Sequence, residues 1–297
     1  MAQQLAGKVV VITGASSGFG KGAALKFADL GASLVLAARR AELLDELATE
    51  CIGFGGRAIA VPTDVSKREE VERLAQRTLQ EYGRIDVWVN NAGVGALGRF
   101  ERIPIEDHEQ VLRTDLFGVL YGAYYGYRQF LQQRSGVLIN VSSELGGSTV
   151  PYYSSYAAAK HGVVGLGDSL RQEIEQAGMK DIHVCTVMPA AHDTPFFDHA
   201  ANYTGHEVQA PKPLHDPYDV VATIVRLALD PKDREIVGAD GIVKILMKKI
   251  APQVQDKLGA NVMHKTQMEK APPAADSPNA LRQPMQKGTG VSAGRRG

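Results

Sequence analysis

Short apolar runs alternate with longer amphipathic stretches along the first 240 residues of the chain. The runs are rich in β-branched residues, which is typical of strands buried on both faces of a parallel sheet. They predict strands at residues 8–12, 33–38, 58–61, 85–89, 137–141, 181–188 and 235–237. Apolar residues three and four apart predict helices after residue 20 and at residues 41–51, 67–82, 105–132, 157–176 and 217–229.

The alternation of strands and helices indicates an α/β fold, in which a parallel sheet carries helices on both faces. We predict a doubly wound sheet of about seven strands in the order 3-2-1-4-5-6-7. Residues 1–240 are expected to form this domain, including an irregular stretch at about 190–217 that is rich in His and Pro. Loops of that length in a compact domain are usually functional, so we interpret the stretch as a substrate lid.

A glycine-rich turn follows the first predicted strand. It reads Thr13-Gly14-Ala15-Ser16-Ser17-Gly18-Phe19-Gly20 and leads directly into a helical pattern. Glycines permit a tight turn and a close backbone approach, and the free N–H groups at a helix N-terminus bind a pyrophosphate. Strand, glycine turn and helix in this order predict a Rossmann-type dinucleotide site.

The residues after the second predicted strand bear on which dinucleotide binds. Ala38 stands where an NAD site commonly has an acidic residue, and Arg39 and Arg40 follow it. A guanidinium at this place pairs well with a ribose 2′-phosphate, and Ser16 is a candidate second contact. We therefore favour NADP(H) over NAD(H). The competing interpretation makes the two arginines a solvated start of a helix.

Hydroxyl and amine side chains cluster after the predicted strand at 137–141. Ser143 follows this strand, and Tyr156 and Lys160 lie four residues apart on one face of a predicted helix. An ammonium beside a phenol favours the phenolate, so we expect a lowered pKa for Tyr156. Such a phenol serves as a general acid or base near neutral pH, with Ser143 holding a substrate oxygen beside it.

Composition and net charge restrict the partners and the compartment expected for the protein. The 297 residues are 44% apolar and 22% charged, with a formal net charge of zero. This composition allows a sizeable core and indicates neither nucleic acid nor an anionic membrane as a partner. Cys51 and Cys185 lie far apart without metal-ligand spacing, so we predict no metal site and a reducing compartment. No apolar run indicates a signal peptide or a membrane span, and we expect a cytoplasmic protein.

The end of the chain departs from the strand–helix alternation. Residues 241–258 combine apolar and basic side chains, and we interpret 241–270 as a helical extension that packs on the domain or on another subunit. A helix lying on a membrane surface is the other interpretation. Residues 271–297 lack aromatic side chains and are dominated by Pro, Ala, Gly and Gln, which predicts a disordered tail.

Taken in order, these pieces resemble the classical short-chain dehydrogenase/reductase family over about residues 5–240. The resemblance rests on the glycine turn at 13–20, Asp64-Val65, Asn90-Asn91-Ala92-Gly93, Ser143, Tyr156-x-x-x-Lys160, and Pro189 followed by Thr194. Each feature alone is weak, but their joint order and spacing are specific.

The resemblance implies a role for each matching residue. Tyr156 would be the general acid or base, Lys160 would lower its pKa and bind the nicotinamide ribose, and Ser143 would hold the substrate oxygen. Asp64 and Val65 would contact the adenine, although Asp64 could equally shape its own loop through an Asx-turn. Further cofactor contacts would come from Asn91, Ala92, Gly93, Pro189 and Thr194.

Two positions depart from the family pattern. Asp115 stands where the family usually has an asparagine that supports a proton relay to Lys160. We keep Asp115 as a candidate catalytic residue, although its added negative charge puts the relay in doubt. Ala190 stands where a glycine usually follows the proline, which costs some backbone freedom.

The sequence thus predicts an NAD(P)(H)-dependent oxidoreductase that transfers hydride between nicotinamide and a carbonyl or secondary alcohol of a small apolar substrate. Candidate walls for that substrate are Leu145, Tyr152, Tyr153, Phe196 and Phe197. The resemblance also implies a homodimer or homotetramer, assembled through the helices at 105–132 and 155–177. The alternative is a cofactor-binding regulatory or scaffold protein with little turnover.

Overall fold

A parallel sheet of seven strands lies at the centre of the fold. The computed structural model describes residues 4–296, and these contain nine strands: β1 (Val9–Thr13), β2 (Ser33–Ala38), β3 (Arg57–Pro62), β4 (Val87–Asn90), β5 (Ala96–Gly98), β6 (Gly136–Val141), β7 (Ile182–Pro189), β8 (Ala201–Tyr203) and β9 (Arg234–Val237). The main sheet has the order β3-β2-β1-β4-β6-β7-β9, and every neighbouring pair is parallel. The predicted order is confirmed, because the short β5 and β8 pair with each other outside this sheet.

Ten α-helices occur within residues 4–296: α1 (Gly18–Asp29), α2 (Ala41–Gly53), α3 (Arg68–Tyr82), α4 (Ile105–Leu112), α5 (Gly118–Gln133), α6 (Ser154–Gln176), α7 (Phe196–His199), α8 (Pro217–Leu229), α9 (Ala239–Ile250) and α10 (Pro252–His264). They divide between the two faces of the sheet. Val10 and Ile12 of β1 pack in one core cluster with α1 and α8, whereas Val11 packs in the other with α3, α5 and α6. Alternation of side chains along a strand therefore supplies both layers.

The predicted helix at 105–132 is interrupted at its centre. Residues Arg113–Phe117 form a single wide π-helical turn between α4 and α5. Such turns insert an extra residue into a helix and often mark functional sites. This turn carries Asp115, which is fully buried.

The extension after residue 240 contains two helices where the sequence pattern predicts one. Ala251 separates α9 from α10, and Pro252 occupies the first turn of α10. Proline fits the first turn of a helix but not its interior, because it lacks a backbone N–H group. The proline therefore begins a second helix rather than extending the first.

The tail differs most from expectation. The sequence predicts disorder for 271–297, but residues 271–296, here called the C-terminal strap, lie against the domain. Ser277 bridges to Asn202 of β8 in antiparallel fashion, and Leu281 is fully buried. A segment without aromatic residues cannot build a core of its own, yet its backbone groups and a few apolar side chains pair with an existing surface.

Helix α5 approaches β4 unusually closely at Trp88. The indole is fully buried, and its Nε1 donates a hydrogen bond of 2.8 Å to Asn90 Oδ1. A Cβ atom on Gly122 would collide with that Asn90 oxygen and lie 2.6 Å from the indole nitrogen. The absence of a side chain at Gly122 is therefore what lets the helix lie on the sheet here.

We expect Gly122→Ala to lower the free energy of unfolding by about 1–3 kcal/mol, because the added methyl group overpacks a rigid contact. Gly165→Ala is the matched control, since Gly165 lies in α6 and a Cβ atom there would meet no described atom within 4 Å. Alanine there should stabilise the helix by roughly 0.5–1 kcal/mol. Thermal or urea unfolding measures both changes, and equal midpoints for the two variants would contradict this account.

Candidate active site

A single cleft at the carboxyl ends of the strands brings the predicted site residues together. Open parallel sheets bind their ligands at this edge. The cleft contains a cavity of about 250 Å³. The predicted residues that line it are Gly14, Ser16, Ser17, Gly18, Phe19, Arg39, Arg40, Asp64, Val65, Asn91, Ala92, Gly93, Asp115, Ser143, Tyr156, Lys160, Pro189 and Thr194.

Gly20 is the predicted residue that lies behind the cavity instead of lining it. A Cβ atom at Gly20 would collide with the carbonyl oxygen of Gly14. Gly14 itself has a φ of +67°, and a Cβ atom there would lie 2.7 Å from Ala92 Cα. Both glycines are therefore required for the turn to fold against the loop after β4.

The loop after β4 is fastened to the glycine turn by Asn91. Its Nδ2 donates to the Thr13 carbonyl at 3.0 Å, and its backbone N–H donates to Thr13 Oγ1 at 3.0 Å. These bonds use the amide side chain to fix the loop. Ala92 and Gly93 are thereby held at the cavity wall.

The structure gives the two adjacent serines different environments. Ser142 Oγ donates to the carbonyl oxygen of Lys160 at 2.9 Å and so ties the strand end to α6. Ser143 Oγ accepts from the Leu145 N–H at 3.2 Å and lines the cavity. As an acceptor in that bond, the Ser143 hydroxyl still has its proton to donate.

Lys160 and Asp115 form a buried ion pair beside Tyr156. Lys160 Nζ lies 3.0 Å from Asp115 Oδ2, and both side chains are at most 4% exposed. The other carboxylate oxygen of Asp115 accepts from the Val94 N–H at 2.7 Å. Lys160 Nζ also donates to the Val141 carbonyl at 3.3 Å and lies 5.3 Å from the centre of the Tyr156 ring.

The predicted lowering of the Tyr156 pKa is wrong for this arrangement. Burial raises the pKa of Tyr156 well above its ordinary value, the negative charge of Asp115 raises it further, and the Ser143 hydroxyl opposes the change. Burial also raises the pKa of Asp115, with Lys160 acting against it. The expected lowering took account of the lysine charge but neither of the burial of the phenol nor of the carboxylate that pairs with the lysine.

Arg39 and Arg40 lie at the far end of the cavity from Tyr156, close to the glycine turn. Arg40 Nη2 donates to the hydroxyls of Ser16 and Ser17, both at 2.9 Å. Arg39 donates instead to the C-terminal strap, including a bond of 2.6 Å to the Ala280 carbonyl. The arginines are thus half-buried hydrogen-bonding groups, which contradicts the interpretation of a solvated helix start.

Asp64 and Val65 line the cavity near these arginines. The Asp64 carboxylate accepts from the Ser66 N–H at 3.1 Å and from the Ser66 hydroxyl at 2.7 Å. This is the Asx-turn that the sequence left as an alternative role for Asp64. Val65 packs under α5, where a Cβ atom on Gly118 would lie 2.8 Å from its Cγ2.

The segment after β7 contributes a residue that the sequence reasoning missed. His192 is buried between the predicted Pro189 and Thr194 and lines the cavity. Its Nδ1 pairs with the Ala190 carbonyl at 2.9 Å, and its ring packs edge-on to Phe19 with centroids 5.6 Å apart. Burial lowers the pKa of His192, so the ring is held neutral. The sequence signal for His192 was its position between Pro189 and Thr194, which both belong to the family resemblance.

A second missed group links the extension to the site. Glu144, next to Ser143, is buried and lines the cavity, and Lys244 of α9 lies 3.0 Å from its carboxylate. Lys244 also pairs with Asp240 at 2.8 Å, and Asp240 holds His215 at 2.6 Å. Burial raises the pKa of Glu144, and Lys244 opposes this. Nothing in the local sequence around Glu144 predicts a partner a hundred residues later.

Four of the five predicted substrate walls line the cavity, namely Leu145, Tyr153, Phe196 and Phe197. Tyr152 does not, because its hydroxyl pairs with His264 Nδ1 of α10 at 2.6 Å. Within residues 4–296, no group of three His, Cys, Asp or Glu side chains is arranged to hold a metal ion. Over the same residues, no helix is long and apolar enough to cross a membrane.

Proteins with similar sequences include oxidoreductases and reductases. Oxidoreductase YxnA of Bacillus subtilis strain 168, itself named as uncharacterized, is 32% identical over 281 residues, covering 94% of this chain and 79% of that protein. The 3-oxoacyl-[acyl-carrier-protein] reductase FabG of Thermotoga maritima is 33% identical, covering 80% of this chain and 98% of that reductase.

Solved structures agree with these relatives. A short-chain dehydrogenase/reductase from Burkholderia phymatum in complex with NAD is similar with a TM-score of 0.75 and 26% identity, covering 85% of this chain and 96% of that one. A metagenomic short-chain oxidoreductase in complex with NADP is similar with a TM-score of 0.67 and 28% identity, covering 79% of this chain and 98% of that one.

The family model described as short chain dehydrogenase matches residues 8–203. That span runs from the start of β1 to the end of β8 and contains the glycine turn, Asp115, Ser143, Tyr156, Lys160 and Thr194. On the fold and these matches together, the chain belongs to the short-chain dehydrogenase/reductase family of oxidoreductases.

Proposed function

We propose that this oxidoreductase is an NADPH-preferring carbonyl reductase or alcohol dehydrogenase that acts on a small apolar substrate. The observation that carries the proposal is the grouping of Ser143, Tyr156 and Lys160 at one end of a cavity whose other end holds Arg39 and Arg40. Apolar side chains, Leu145 and Phe196 among them, wall the end beside Tyr156. A carbonyl carbon with apolar substituents suits that end.

The residues that line the cavity suit a nicotinamide dinucleotide in their chemistry. Gly14, Ser16, Ser17 and Gly18 line the cavity where α1 begins, and a turn of small residues at a helix N-terminus suits close approach of a diphosphate. Arg39, Arg40 and Ser16 would hold a ribose 2′-phosphate, while Asn91, Pro189 and Thr194 would border the nicotinamide half. When bound, the cofactor supplies hydride exchange with a carbonyl carbon, while the protein provides position and a proton.

Tyr156 would exchange a proton with the substrate oxygen. Its raised pKa keeps the phenol protonated at neutral pH, which is the form that donates a proton as a carbonyl becomes an alcohol. Ser143 Oγ would donate a hydrogen bond to the same oxygen and stabilise the charge that develops there. Lys160, held by Asp115, would fix the position of the ribose and of the phenol. The protonated phenol serves carbonyl reduction, whereas alcohol oxidation needs its phenolate.

We further propose an oligomeric state and a cellular compartment. Phe117, Leu120 and Tyr124 are 43%, 39% and 54% exposed on or beside α5, and an apolar surface of this kind suits a homodimer or homotetramer. We assign the protein to the cytoplasm on its two unpaired, buried cysteines, Cys51 and Cys185.

A regulatory or scaffold protein with little turnover is the second candidate, because Asp115 neutralises the lysine beside Tyr156.

We expect Tyr156→Phe to lower kcat/KM for carbonyl reduction by roughly 10²–10⁴-fold, because the substrate oxygen loses its proton donor. NADPH oxidation against a panel of apolar ketones and aldehydes measures the loss. Tyr152→Phe is the control, since it removes a nearby hydroxyl that does not line the cavity. Equal turnover by wild type and Tyr156→Phe, with cofactor shown to bind, would favour the regulatory candidate instead.

We expect Arg39→Ala to weaken NADPH binding by roughly 10–100-fold, because a charge-assisted contact contributes about 1.5–3 kcal/mol. NADH binding should not weaken, since NADH has a hydroxyl in place of the 2′-phosphate. Fluorescence titration with each nucleotide gives both dissociation constants. Arg77→Ala on the exposed side of α3 is the control for loss of one positive charge. Equal weakening of both nucleotides would show that Arg39 does not distinguish them.

We expect Asp115→Asn to shift the pH dependence of alcohol oxidation to lower pH. Oxidation needs the phenolate of Tyr156, and the Asp115 charge disfavours it by raising the phenol pKa. Removing that charge lowers the pKa, so the activity rises at lower pH. The profile of kcat/KM against pH measures the shift. Asp86→Asn is the control, because it changes a buried carboxylate just before β4, at the end of that strand opposite the cavity. It should leave the pH profile unchanged. An unchanged or alkaline-shifted profile in Asp115→Asn would refute this electrostatic account.

A further inference from the structure

The C-terminal strap occupies the hydrogen-bond donors that the proposed function assigns to a nucleotide. Arg39 Nη2 donates to the Ala280 carbonyl at 2.6 Å, and Arg39 Nη1 donates to the carbonyls of Leu281 and Arg282 at 3.2 and 3.3 Å. Arg40 Nη1 donates to the Met285 carbonyl at 3.1 Å. At the arginine end of the cavity, neutral backbone oxygens thus stand where a phosphate would be expected.

The strap also reaches the start of α1. The Gly18 N–H, in the glycine turn, donates to the Gly290 carbonyl at 2.9 Å. Free N–H groups at this place are what make a helix N-terminus an anion site. A second nucleotide-facing donor is therefore paired with the strap. This contact lies eight residues or more beyond those at Arg39, so two separate parts of the strap meet the site.

The strap is fastened on the opposite side of the cleft, at the segment after β7. Asp193 Oδ2 accepts from the Ser292 hydroxyl at 3.0 Å and from the Arg295 N–H at 2.8 Å. Arg295 pairs with Asp198 at 2.5 Å, and Arg296 pairs with Asp216 at 2.7 Å. The strap therefore runs from the end of β2 to the segment after β7.

The space left under the strap is small. Ala280, Pro284 and Met285 line the cavity together with the arginines, and its volume is about 250 Å³. Sites for ligands of drug size are commonly roughly 300–1,000 Å³. A dinucleotide is larger than such ligands, so it needs more room than this closed arrangement provides.

From these contacts we propose that the strap is an intramolecular competitor of the nucleotide. Its carbonyls cap Arg39, Arg40 and the Gly18 N–H in the closed state, and an incoming NADP(H) displaces them. A phosphate offers a guanidinium an opposite charge and a bidentate geometry, which a neutral backbone carbonyl does not, so the 2′-phosphate prevails at the arginines. The identification of these donors as a nucleotide site rests on the proposed function.

Deletion of residues 286–297 tests the competition directly. It removes the Gly290 contact with the Gly18 N–H and the fastening at Asp193, so that residues 280–285 are no longer held against Arg39 and Arg40 from their C-terminal side, and it retains the buried Leu281. We expect the deletion to tighten NADPH binding by about tenfold, which corresponds to a strap that is closed in about nine of ten full-length molecules. Gln286→Ala is the control, because it changes an exposed side chain and keeps the strap backbone. Thermal unfolding establishes that the deleted chain is folded.

Hydrogen exchange on the full-length chain provides a measurement that needs no variant. We expect NADP⁺ to accelerate amide exchange in residues 286–296, because the strap leaves its partners when the nucleotide binds. Slower exchange on binding, together with weaker NADPH binding after deletion, would mean that the strap clamps the nucleotide and would overturn the proposal. Unchanged exchange and unchanged affinity would overturn it equally.

A combined variant separates failure of the strap from failure of the proposed function. Arg39→Ala in the deleted chain should still lose NADPH affinity selectively, whether or not the strap competes. If that loss occurs without an effect of deletion, the nucleotide site stands and the competition is refuted. If neither chain binds either nucleotide, the proposed function and the inference fall together.

Discussion

Parallel pairing places the carboxyl ends of all seven main strands at one edge of the sheet. The glycine turn follows β1, the arginines follow β2, the Asn91 loop follows β4, and Ser143 follows β6. Residues that are far apart in the chain therefore meet at this edge, and contacts such as the Asn91–Thr13 hydrogen bonds fix their segments there. Local packing then brings the loops into contact. The absence of side chains at Gly14 and Gly20, for example, lets the glycine turn touch the loop after β4.

The electrostatics of the site depend on one buried pair. Lys160 is almost fully buried, and a charge in such a place needs a partner because desolvation is costly. Asp115 provides a full negative charge where an asparagine would provide only a dipole. The field that Lys160 exerts on Tyr156 is thereby offset, and burial then dominates the phenol and raises its pKa. Burial and the Asp115 charge thus act in the same direction on the Tyr156 pKa, and both favour the protonated phenol.

Features that depend on residues close together in the chain are predictable from the sequence, whereas features that depend on distant partners are not. Strand order, the helices and the residues around the cavity follow from local periodicity and motifs, because parallel topology does the rest. The interruption at Arg113–Phe117 has no periodic signal, since a single inserted residue leaves the apolar stripe intact on either side. The pairing of β5 with β8 is equally hidden, because each has three residues. The direction of the Tyr156 pKa shift was missed because it depends on burial in the folded cleft and on the distant Asp115 carboxylate.

The strap shows why composition alone misjudges such a segment. Low apolar content and abundant Pro and Gly imply that a segment cannot fold by itself, and this remains true of residues 271–296. What composition omits is the partner surface, here two arginines with several donors each and a carboxylate at Asp193. Backbone carbonyl oxygens of the strap meet those donors from turns and bends, with Leu281 as its buried apolar anchor. The same donors suit a phosphate, so order in the strap and affinity for a nucleotide draw on one set of groups.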